Sequence, residues 1–103
     1  MYKICFYAPI EQVDAIKQAM FAAGAGQLGN YSGCSWQVLG EGQFIPLAGS
    51  NAYLGKPHYL EKVAEYKVEM VCAEECMQSV ILALKQTHPY ETPAYQVIKV
   101  EDF

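Results

Sequence analysis

The chain has 103 residues, 52% of them hydrophobic and 17% charged, which excludes a disordered polymer and matches one domain spanning 1–103 rather than two, since halves of that size bury too little surface. Seven lysines, no arginine and eleven acids leave a net charge of −4, and without a guanidinium fork for phosphate or guanine no nucleic-acid binding is expected. The opening MYKICFYAPIEQ has neither the basic segment nor the apolar stretch of a secretory signal, and no apolar run reaches the roughly 18 residues of a membrane span, so a cytoplasmic protein without a membrane partner is expected.

Residues 2–8 alternate, with Tyr2, Ile4, Phe6 and Ala8 on one face and Lys3, Cys5 and Tyr7 on the other, the pattern of a strand covered on one side. Pro9 suits a helix start, and Glu11 and Asp14 suit the positive end of the helix dipole. Val13, Ile16 and Met20 then recur at helical spacing before Gly24, which predicts helix one over about 10–23.

All eight glycines fall between positions 24 and 55, interleaved with Tyr31, Trp36, Phe44 and Tyr53, so this stretch predicts ordered turns rather than a flexible linker. CSWQVLG and GQFIPLA predict two short strands joined in a hairpin around Gly40 to Gly42, with Pro46 holding the second near a sheet edge. From Glu65 the alternation returns, Tyr66, Val68, Met70 and Cys72 opposing Glu65, Lys67, Glu69 and Val71. Glu74 and Glu75 suit a second helix start, Met77, Val80, Ile81 and Leu84 form its apolar stripe, and His88 before Pro89 ends it near residue 87. Residues 94–100 predict a last strand. The order is that of a doubled split βαβ unit, an α+β ferredoxin-like sandwich with an extra hairpin. Its two helices cover one sheet face, and the bare face, with the high apolar content, predicts a homo-oligomer.

Gly24, Gly26 and Gly29 in GAGQLG match GxGxxG formally, but the dinucleotide fingerprint follows a strand and opens a helix. Here it follows a helix, so a helix stop with close turns is preferred. Cys5, Cys34, Cys72 and Cys76 lack zinc or disulfide spacing and are expected as reduced structural thiols. His58, in GKPHYLEK, is expected as a surface-loop residue.

The strongest local feature is HPYETPAY at 88–95, where His88, Tyr90 and Glu91 sit between two prolines that stiffen the turn. His88 has the chemistry to ligate a metal or exchange a proton, and Glu91 to bind a cation. The structural alternative is that His88 and Tyr90 bond the helix end and Glu91 fixes a neighbouring chain. The loop after helix one and the turn after helix two are expected at the same end of the sheet. His88 and Glu91 would then face Tyr31 and Cys34 across a cleft between subunits.

GAGQLGNYSGCSW at 24–36, GEGQFIPLAGSNAYLG at 40–55 and HPYETPAY together resemble the inserted domain of the NGG-interacting-factor-three-like, YqfO-type proteins, also labelled dinuclear metal centre or GTP cyclohydrolase type two-like proteins. Trp36, Thr92 and Gln96 depart from the residues that resemblance leads one to expect. It implies a CutA/PII-like ferredoxin fold, here as a stand-alone chain, that assembles as a trimer with ligand clefts between subunits. The family's dinuclear metal centre lies on a flanking domain, so none is expected here.

The favoured function is a non-catalytic oligomeric binding or regulatory module, its intersubunit clefts holding a small ligand at Tyr31, Cys34, His88, Tyr90 and Glu91. A single divalent metal ion at His88 and Glu91 is the candidate cofactor. The alternatives are a metal-assisted hydrolase using His88, Glu91 and Cys34 across subunits, and a structural partner of a separately encoded dinuclear-metal protein.

Overall fold

The computed structural model describes every residue from Met1 to Phe103. β1 (Tyr2–Pro9) turns into α1 (Val13–Ala22), β2 (Trp36–Phe44) and β3 (Glu61–Cys72) follow, and a 3-10 turn at Glu74–Cys76 opens α2 (Met77–Thr87) before β4 (Tyr95–Lys99). The four strands form one antiparallel sheet in the order β2-β3-β1-β4, the ferredoxin-like arrangement expected from the element order.

Side-chain periodicity places the core between this sheet and the two helices. Ile4, Phe6 and Ala8 of β1 and Val68, Met70 and Cys72 of β3 meet Val13, Ile16 and Met20 of α1 and Val80 and Leu84 of α2. Tyr66, Met77, Ile81 and Tyr95 pack on the margin of this cluster. Every predicted stripe thus lies on the covered side, because alternation of period two and recurrence at i, i+3, i+4 each aim one set of side chains the same way.

Helix α1 stops as the glycine pattern predicts. Gly24 has φ +117, its amide donates to the Phe21 carbonyl at 3.0 Å, and the Ala25 amide reaches back to the Met20 carbonyl at 3.1 Å. This pair of bonds is a Schellman motif, with Ala25 buried against the core as its apolar contact. The remainder of GAGQLG forms a tight turn rather than a phosphate loop, Leu28 and Tyr31 exchanging both backbone bonds at 2.9 and 3.0 Å. Helix α2 ends with the His88 amide on the Leu84 carbonyl, and His88 takes an extended ψ of 134 ahead of Pro89.

One element differs from expectation. The hairpin around Gly40 to Gly42 does not form, and residues 36–44 are a single strand paired throughout with 61–69 of β3, Gly40 opposite Glu65 and Gly42 opposite Val63. Neither glycine has positive φ, so the chain runs straight where a turn was predicted. Strand β3 accordingly begins at Glu61, four residues before the expected start. The reversal comes instead in the connection 45–60, where the His58 amide, at φ 69, donates to the Pro46 carbonyl at 2.7 Å.

The second sheet face has no helix over it. Lys3 and Glu69 form an ion pair across its centre at 2.6 Å, the Cys5 thiol lies against the same carboxylate at 3.6 Å, and Trp36, Val38 and Ile98 are 59%, 45% and 52% exposed around them. All four cysteines are free thiols, Cys5 and Cys72 buried. Burial, reinforced by Glu69, pushes the Cys5 thiol above its ordinary pKa, and the Lys3 ammonium holds Glu69 below its own. No helix is long and apolar enough to cross a membrane.

Candidate functional site

The HPYE turn is built onto the end of α2 by hydrogen bonds at both nitrogens of His88. Nε2 lies 2.6 Å from the Tyr7 carbonyl and must carry the proton, while Nδ1 accepts the Tyr90 amide at 3.1 Å. The ring is 6% exposed. Burial holds its pKa below the ordinary value, opposed by the Tyr7 carbonyl and by the Glu65 carboxylate, both of which favour the imidazolium. With both nitrogens engaged, His88 has no lone pair to offer a metal or a substrate proton. The His88 side chain thus ties the turn to β1 rather than to the helix end, and for His88 to ligate a metal together with Glu91 the Tyr90 amide would have to leave Nδ1. No three His, Cys, Asp or Glu side chains converge anywhere in the chain.

Beyond His88 the turn presents Tyr90 and Glu91 to a cleft of about 550 Å³ on the open sheet face. Tyr90 is its central ring, stacked obliquely on His88 at 4.8 Å and tilted against Phe44 at 6.0 Å and Tyr53 at 6.2 Å. Its hydroxyl donates to Glu65 Oε2 at 2.8 Å, and burial followed by that carboxylate raises the phenol well above its ordinary pKa. Glu65 reaches Tyr90 by lying across Gly42, where any Cβ would overlap its carboxylate. A residue without a side chain is needed there. Glu91 Oε2 accepts the Asn51 amide at 3.1 Å, and Gln12 Nε2 donates to the Tyr53 hydroxyl at 3.1 Å, so the 45–60 connection is tied down over the cleft from two sides.

Tyr31 and Cys34 are not part of this cleft. The chain reverses at each element, so the loop after α1 and the turn after α2 lie at opposite ends of the sheet. The Gly26 amide bonds the Val71 carbonyl at the end of β3, whereas Tyr90 meets Glu65 near its start. At about 3.3 Å per residue the six positions from Glu65 to Val71 span roughly 20 Å. Tyr31 is 75% exposed, and Cys34 is half-buried with its amide on the Gly26 carbonyl at 2.8 Å. The same-end placement is thus corrected, and counting reversals along the βαββαβ order was the signal that exposes it. Within one chain His88, Tyr90 and Glu91 come together, and Tyr31 and Cys34 can join them only from a second copy. Sequence reasoning missed Tyr7, Phe44, Tyr53 and Glu65 of the cleft wall. Of these, Glu65 carried a local signal, a carboxylate alternating with core residues in a strand.

No family model matches the chain. It is 43% identical over 95 residues to a protein of Mycobacterium leprae named GTP cyclohydrolase 1 type 2 homolog, a match covering 92% of this chain and 25% of that protein. A Bacillus cereus protein related to NIF3 superposes with a TM-score of 0.84 at 32% identity, over 98% of this chain and 26% of its own. The periplasmic divalent cation tolerance protein CutA of Archaeoglobus fulgidus superposes with a TM-score of 0.70 at 19% identity, covering 87% of that chain, and B. subtilis GlnK does so with a TM-score of 0.63 at 14% identity. The last two likenesses show the fold alone. The chain spans about a quarter of the length of the curated relatives it matches, and it corresponds to one segment of the NIF3-related proteins, folded like CutA and the PII-like proteins.

Proposed function

We propose that this chain, a relative of one segment of the NIF3-related GTP cyclohydrolase 1 type 2 homologs, is a small-molecule-binding or regulatory module that acts as a homo-oligomer and is not by itself an enzyme. The observation that carries this is the cleft under the 45–60 connection. Its volume of about 550 Å³ falls within the roughly 300–1,000 Å³ typical of small-ligand sites. Its walls come from β1, β2, β3, the connection and the HPYE turn, which lets occupancy bear on how these elements sit together. Its polar groups are Tyr hydroxyls, two carboxylates and the side chains of Gln43, Ser50 and Thr92, with no Cys or His among them and no converging metal ligands. We accordingly place any cyclohydrolase chemistry of the longer relatives outside this segment.

Assembly is proposed through the open sheet face, where Trp36, Val38 and Ile98 would leave water against a second copy. A trimer is the arrangement we favour, with the Tyr31–Cys34 loop of one subunit free to approach the cleft of another.

Native mass spectrometry of freshly purified protein tests both parts. The expected spectrum shows an oligomer carrying a retained small molecule that Tyr90→Ala and Tyr53→Ala lose. Retention unchanged in both variants would place the ligand elsewhere, and a stable mass of 11.5 kDa at micromolar concentration would remove the oligomer.

A further inference from the structure

The cleft has a charge and a shape that select among small molecules. Its rings are Tyr7, Phe44, Tyr53 and Tyr90, and its charged groups are Glu65 and Glu91. No Lys, Arg or His lines it, and Lys56 of the overlying connection is outside it. Each carboxylate has one oxygen engaged within the chain, Glu65 Oε2 by the Tyr90 hydroxyl and Glu91 Oε2 by the Asn51 amide, while its Oε1 accepts no hydrogen bond. The surroundings of the Tyr90 phenol agree. Burial and Glu65 raise it, Tyr53 and Glu61 add in the same direction, and no cation pulls it down.

We infer that the cleft takes a flat organic cation, its ring or delocalised group lying against the Tyr90, Phe44 and Tyr53 rings and its N–H groups directed at the unpaired oxygens of Glu65 and Glu91. The reasons are complementary. Aromatic faces carry a negative quadrupole that attracts cations, and a carboxylate oxygen that loses water on ligand entry needs a donor in exchange. An anion would meet the same two carboxylates without a counter-charge, so phosphate-bearing ligands such as nucleotides are disfavoured here.

This inference rests on the proposed binding function, and its test separates the two. Benzamidinium, benzamide and benzoate share one ring and nearly one shape while running from cation through neutral to anion. Their binding to the intact protein is measured by calorimetry or by NMR titration of the Tyr90 and Glu91 amides, at fixed ionic strength and pH 7.5. Benzamidinium is expected to bind on the order of ten-fold more tightly than benzamide, the scale of one charge-assisted contact, with benzoate weakest. Glu65→Gln and Glu91→Gln, which keep the acceptor and remove the charge, should each narrow the benzamidinium-to-benzamide ratio while leaving benzamide in place. Glu91 is exposed, so its variant serves even where Glu65→Gln perturbs folding. Benzamide or benzoate binding as tightly as benzamidinium overturns the cation preference and leaves the cleft as a site. If none of the three binds at millimolar concentration, both the cation preference and the cleft's role as a small-molecule site are refuted.

Discussion

Replacing His88 by Phe keeps a ring of similar size against Tyr90 but removes both nitrogens. The Tyr7 carbonyl loses its Nε2–H donor at 2.6 Å and the Tyr90 amide its Nδ1 acceptor at 3.1 Å, in a place where the native ring is almost wholly buried. An orphaned buried polar group costs ~1–3 kcal/mol, so two of them at a partly relaxable turn should cost about 2–4 kcal/mol at pH 7.5. The cost should depend on pH in a definite direction. Burial lowers the folded pKa of His88 below its ordinary 6.5, so as pH falls through 6.5 the unfolded chain takes up a proton that the folded chain resists. The stability contributed by neutral His88 is therefore complete above that value, is lost as pH falls through it, and stops changing below the folded pKa. Urea denaturation of both proteins at one fixed protein concentration, from pH 7.5 to pH 5, isolates this effect in their difference, because the carboxylates titrate in both. The difference should shrink on acidification. A difference that grows instead would mean that the Glu65 carboxylate and the Tyr7 carbonyl outweigh burial and that the imidazolium is the form the fold favours, refuting the neutral Nε2–H tautomer derived above.

Gly42→Ala should displace the Glu65 carboxylate and break its bond to Tyr90. The loss of roughly 1.5–3 kcal/mol for a charged hydrogen bond, discounted for partial exposure and offset by the ~0.5–1 kcal/mol gained on removing a strand glycine, predicts a net cost near 1 kcal/mol by denaturant titration; a variant more stable than the parent would contradict it. Glu91→Ala should speed amide hydrogen exchange across 47–55 by freeing the Asn51 amide while leaving β3 protected, and unchanged exchange there would show that the connection holds without this tie. Trp36→Glu, which puts a charge on the open sheet face, should shift the light-scattering mass toward 11.5 kDa without altering helical content, whereas an unaltered oligomer would move the interface to another surface.

The stripes set by local periodicity were legible in the residues alone. Ile4, Phe6 and Ala8, then Val13, Ile16 and Met20, then Val68, Met70 and Cys72, then Val80 and Leu84 are buried together because a strand or helix repeats its own geometry and so commits a whole stripe to one side. Both helix stops were legible for the same local reason, Gly24 through its left-handed backbone and His88 through the proline after it. The remainder depended on contacts between segments distant in sequence. Gly40 and Gly42 look like a turn until β3 is set beside them, since the pairing that holds both in an extended strand comes from a distant part of the chain. Tyr31 and Cys34 look like partners of the HPYE turn until the chain's reversals are followed to opposite ends of the sheet. The cleft joins Tyr7, Phe44, Tyr53, Glu65 and Tyr90, residues scattered over most of the chain, and apart from the alternation at Glu65 and the HPYE turn at Tyr90 no local pattern marks them, because strand register and a 16-residue connection bring them together rather than their neighbours in sequence.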